Sequence, residues 1–153
     1  MLQYGQLKRP ILPILLVFLV CTNLWQYHHL IYQHVDRINA KIIWLNILLM
    51  LIVSVVPYLT IFVANNPFSF LTQVLYGVDF LLINVILYVM AQSLIKMNPD
   101  QEFLKEALDV KNSIIIPTAL FVVGLVGAFL GHPILISVCV LITIVRSILY
   151  SLR

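Results

Sequence analysis

Residues 25–60, WQYHHLIYQHVDRINAKIIWLNILLMLIVSVVPYLT, hold the end of one apolar run, a short polar connection and the start of a second run. That second run, about 40 to 64, is nearly continuous in Ile, Leu, Val, Met and aromatic residues. Its length suits a hydrocarbon core of about 30 Å, which takes roughly 20 helical residues at 1.5 Å each. Three further runs of this kind follow at about 69–95, 113–130 and 133–150, and a shorter one precedes it at about 11–27. Pro13 falls in the first turn of the shortest run, where a missing backbone donor is harmless. The expected fold is all-α, a polytopic membrane helix bundle of five spans forming a single membrane domain over residues 1–153.

Composition sets the same bound independently. The chain is 62% hydrophobic and 10% charged, with a mean hydropathy of +1.05, whereas a soluble domain is about half apolar and about a quarter charged. The first run is followed by aromatic and histidine residues and not by a small-x-small cleavage site, so it reads as a retained span and not as a signal peptide. Cys21 and Cys139 sit in separate apolar runs without metal spacing, which makes them small buried hydrophobes. The net charge of +3 comes from Lys and Arg at span ends. It points to lipid headgroups as partners and away from nucleic acid.

Five spans place the connections near 28–41 and 96–112 and the C-terminus on one side. Arg37, Lys41, Lys96, Lys105, Lys111, Arg146 and Arg153 belong to that side, against Lys8 and Arg9 on the other. The excess of Lys and Arg predicts a cytoplasmic C-terminus and an external N-terminus. On the cytoplasmic side, residues 99–109 read as a short amphipathic helix, with Asn98 or Asp100 as its N-cap candidate and Phe103, Leu104, Ala107 and Leu108 at helical spacing. Gly131, His132 and Pro133 allow only a tight turn, which makes the last two spans a helical hairpin.

Few polar side chains interrupt the apolar runs. His28, His29 and His34 cluster at one span end, but haem ligation between helices needs two imidazoles at similar depth, and His132 lies at the opposite side. The cluster has only Asp36 for acidic company, so no metal or cofactor is expected and the histidines read as interfacial residues bonded to neighbouring helices. Asp79 lies about 15 Å deep in the third long run, where a carboxylate is costly and marks a candidate site. It can be protonated, bonded to Asn84 or the backbone, or paired with Arg146 in the last span. An intramembrane protease would want a second Asp at that depth or a Ser–His pair inside the bundle, and neither can be assembled, so no enzyme is expected. Asn46, Ser54, Thr60, Asn84, Gln92 and Thr143 are scattered through the spans, suited either to tying helices together or to lining a wet path.

The helix ending in His28–His29, the connection VDRINAKIIWLN and the following ILLMLIVSVVPYLT resemble the second and third membrane helices of the transmembrane protein 175 family, the potassium channels of lysosomes and their bacterial relatives. LYGVDFLLINVILY looks like the family's fourth helix and the final hairpin like its fifth and sixth, so the resemblance covers about Leu15 to the C-terminus. It implies a six-helix repeat, of which the five spans match helices two to six, assembled in bacterial members as a tetramer around a potassium pore. The family's first helix lines that pore and carries an Arg and a Phe-Ser-Asp motif. By resemblance, His28, His29, Trp44 and Asn46 form an interhelical polar network packed under that motif. No Phe-Ser-Asp occurs in this sequence. The expectation is therefore a truncated channel subunit in a bacterial cell membrane, a homo-oligomer or a companion of a full-length paralogue, that does not conduct alone. The alternatives are a non-conducting scaffold or degenerate paralogue, and a small carrier with Asp79 as its proton site.

Overall fold

The computed structural model describes residues 15, 17–22, 24–26, 28–29, 32, 35, 37–99 and 115–151. They form an all-α membrane helix bundle with helices α1 (Val17–Gln26), α2 (Ala40–Val53), α3 (Val56–Asn65), α4 (Phe70–Met97), α5 (Ile116–Phe129) and α6 (Leu135–Ser151). The 99–109 segment read as amphipathic lies outside the described residues, apart from Pro99. Two stretches, Ala40–Asn65 and Phe70–Met97, are long and apolar enough to cross a membrane by length and composition.

Each boundary has a local cause. Asn39 caps α2, its side chain accepting from the Ile42 amide at 3.0 Å. The α2–α3 stretch breaks at Ser54–Val55 because Pro57 has no N–H to give the Val53 carbonyl and its ring crowds that turn. α5 ends in a Schellman motif. Gly131 takes φ +93°, the His132 amide donates to Gly127 and the Gly131 amide donates to Ala128.

α4, 28 residues and about 42 Å long at 1.5 Å per residue, is the centre of the bundle and packs against α2, α3, α5 and α6. Its Phe80, Ile83, Leu87, Met90 and Leu94 meet Val20, Ile42, Leu49, Val56, Val140 and Ile144 in one core. The outward faces stay apolar and exposed, for instance Ile43, Ile47 and Leu51 on α2 and Leu141, Val145 and Leu149 on α6. Water would penalise such a surface, and lipid does not.

α5 and α6 make the closest pairing through small residues. A Cβ on Gly124 would come within 3.0 Å of the Ile136 Cα, a backbone atom that cannot turn aside. Small residues at i and i+3, here Gly124 and Gly127, bring two helix backbones together where lipid gives no hydrophobic drive to pack them. Gly124→Val should therefore cost about 1–3 kcal/mol by overpacking. A thermal melt in detergent checks this, and an unchanged midpoint would mean that the hairpin does not need the close approach.

Candidate functional site

The polar side chains that join helices lie toward the two ends of the bundle. At the end where α2 begins, His28 Nε2 and Asn46 Oδ1 are 2.8 Å apart. With the amide oxygen facing the ring, Nε2–H donates. The His28 ring stacks on Tyr32 at 4.5 Å between centroids, and the Tyr32 hydroxyl reaches Met90 Sδ at 3.9 Å. One imidazole thus connects the end of α1 to α2 and, through Tyr32, to α4. Burial pushes the His28 imidazole below its ordinary value, and the bond to Asn46 opposes that shift.

His29 stacks on Trp25 at 5.0 Å on the exposed side of the same segment. Trp44 is 70% exposed, on the outward face of α2. His34 and Asp36 lie outside the described residues. Among the described residues, no three His, Cys, Asp or Glu side chains converge in a way that could hold a metal ion.

A second clamp at this end is not evident from spacing. Asn98, just beyond α4, accepts from the Arg37 amide at 3.1 Å and donates to the Arg37 carbonyl at 3.3 Å and to the Leu94 carbonyl at 3.1 Å. Its side chain pairs with the Arg37 peptide as a neighbouring strand would, holding the first connection against the end of α4. At the opposite end, Gln73 is fully buried. Its Nε2 donates to the Pro67 carbonyl at 2.8 Å, and its Oε1 accepts from the Ser137 hydroxyl of α6. An amide inside an apolar run was the available sign for Gln73; its partners lie 6 and 64 residues away, beyond the reach of periodicity.

Between these ends the hydroxyls and amides mostly bond within their own helices. Thr60, Asn84, Ser93 and Thr143 each donate to the carbonyl four residues back, and Ser54 donates to Leu51. A short polar side chain in hydrocarbon finds its nearest acceptor one turn away. Asp79 differs. It is 7% exposed, and its Oδ2 is buried without a hydrogen-bond partner. Tyr76 lies one turn before it on the same face of α4, near Thr60 of α3. Arg146 is half-buried on α6. A small gap lined by Gly77, Phe80, Asn84, Cys139, Val140 and Thr143 lies where α4 meets α6.

Residues 2–57 match the family described as endosomal/lysosomal potassium channel TMEM175. That match begins upstream of Leu15 and takes in α1, α2 and the break before α3. A protein named as a potassium channel from Chryseobacterium sp. (strain P1-3) is 26% identical over 125 residues, covering 79% of this chain and 65% of the relative. The chain therefore spans less than two thirds of that relative's length. No solved structure matches the chain. Together the two matches support the TMEM175 family, and with it a membrane location, for this chain.

The His28 strut gives a pH signature. In the unfolded chain the imidazole titrates near 6.5, and in the bundle it stays neutral to lower pH. Its contribution to stability is full above about 6.5 and is lost as the pH falls through the lower folded value. The melting midpoint in detergent should drop between pH 7.5 and 5, and drop less in His28→Gln. Parallel slopes for the two proteins would remove His28 from the pH response.

Proposed function

We propose that this chain is a subunit of a potassium channel of the TMEM175 family, in a bacterial cell membrane with its C-terminus in the cytoplasm, and that it is not an enzyme. The observation that carries the reading is the match to the family over residues 2–57, the stretch that contains both partners of the His28–Asn46 bond. The relative named as a potassium channel supports it. The proposed partners are the lipid bilayer, potassium ions and further copies of the chain, four by the family resemblance, or a longer paralogue.

The residues present act as the frame and not as the pore wall. A selective pore needs a ring of carbonyls or side chains at one depth along an axis. The interhelical polar groups described here are instead spent on each other at the bundle ends, as His28 with Asn46, Asn98 with Arg37, and Gln73 with Ser137. The Phe-Ser-Asp motif of the resembled family does not occur among these 153 residues. In this reading, conduction requires a helix with that motif from outside them, and the frame holds that helix in place.

Reconstitution into liposomes with an outward potassium gradient tests the reading. The 153-residue chain alone should give flux no greater than protein-free liposomes. Fusion or co-assembly with a Phe-Ser-Asp helix should raise it well above that level, with potassium preferred over sodium. Selective flux from the chain alone would show that its own helices line the pore. Absence of flux in every assembly would favour a scaffold.

A further inference from the structure

We propose that Asp79 is a proton-binding site between α3 and α4, occupied while α3 is seated on α4, and that release of the proton unseats α3. The proposal does not depend on conduction and survives if the potassium-channel reading fails.

The site is carried by geometry. Asp79 is buried at mid-depth in the bundle, and its Oδ2 has no hydrogen-bond partner. Ionised, that oxygen would carry charge with neither water nor a hydrogen bond to meet it, an arrangement that buried charges avoid. A neutral carboxyl leaves far less to satisfy. Thr60, Asn84 and Thr143, by contrast, each bond a carbonyl of their own helix.

Among the described residues, no cation forms an ion pair with Asp79. Of the elements packed against α4, α2 carries only Lys41, in its first turn near the far end of α4, and α3 carries only Tyr58, which is exposed. α5 has no titratable residue. α6 brings Cys139, which lines the gap on the Gly77–Phe80–Asn84 side of α4, and further toward its C-terminal end Arg146 and Tyr150. On α4 itself Tyr76 is the nearest titratable neighbour, and Tyr88 and Lys96 lie more than two turns on.

The same region can move. α3 has ten residues and is separated from α2 by the break at Ser54–Val55, while Gln73 fixes its other end by holding Pro67. A short helix joined at a break and anchored at one end can lift from its neighbour without bending a continuous span. Tyr76, one turn from Asp79, lies near Thr60 across the α3–α4 seam. Ionising Asp79 demands water at that seam. The opening that admits water is the separation of α3 from α4.

PH-difference infrared spectroscopy on the full chain in lipid is the direct test. At pH 7 the wild type should show the C=O stretch of a protonated carboxylic acid, slow to exchange in deuterated water. Asp79→Asn should lose the band and Asp79→Glu should displace it. A wild-type spectrum with no acid band at pH 7 overturns the proposal whether or not the variants fold. A second readout follows the movement, using Val56→Cys in a Cys21→Ala, Cys139→Ala background. Thiol labelling at pH 9 should exceed labelling at pH 7 by at least tenfold more than in the same protein with Asp79→Asn, which corrects for the reactivity of the thiol itself. Equal pH dependence in the two proteins rules out the coupling to α3.

Discussion

Burial against α4 is the constraint on which the rest of the bundle depends. A helix surrounded by lipid gains nothing from hydrophobic attraction to another helix, because lipid tails are as apolar as leucine. What remains is shape, and α4 offers the long central surface, with a dozen of its residues buried from Thr72 to Leu94. α2 and α3 share one side of it, while α5 and α6 approach it as a pair whose own contact is set by Gly124 and Gly127. Gly77 belongs to the same logic, since a Cβ there would meet Phe121 and Ile136 side chains.

Polar chemistry is divided by depth. Near the ends, where water and headgroups give a misaligned side chain an alternative partner, the bundle uses interhelical bonds of long sequence separation: His28 to Asn46, Asn98 to Arg37, Gln73 to Ser137. In the middle, where an unmet bond has no such substitute, hydroxyls and amides return to the carbonyl of their own helix. Interhelical bonds fix which helices meet; intrahelical ones make a polar residue tolerable without fixing anything. The ends therefore set the arrangement of the bundle, and its centre is left to packing.

This division also explains what could be read from sequence. The helices follow from length and apolarity, and Pro57 marks the α2–α3 break because its missing donor is a local property. The pairing of His28 with Asn46 was within reach of the family resemblance, since both residues flank one short connection. Trp44, grouped with them by the same resemblance, faces outward on α2, as suits an indole at the edge of a bilayer. Asn98 read as an N-cap candidate from its place before an acidic stretch, yet its amide is engaged by the Arg37 peptide. Nothing local distinguishes the two uses, because the partner is 61 residues away. Gln73 is the same case at the other end.

The break in the second span links these observations. Had residue 57 been able to donate, Ala40–Asn65 could be one continuous helix of 26 residues, and any shift at its outer half would be carried to the His28–Asn46 strut at its start. With the break, α2 keeps the strut and its packing on α4 through Ile42 and Leu49, while α3 answers only to its own contacts, Val56, Leu59 and Thr60. One turn along α4 from Tyr76, which lies near Thr60 of α3, is the carboxyl with the unsatisfied oxygen. A buried oxygen without a partner costs free energy wherever it sits. In the proposal made above, that cost falls on α3, a short segment set off from α2 by the break.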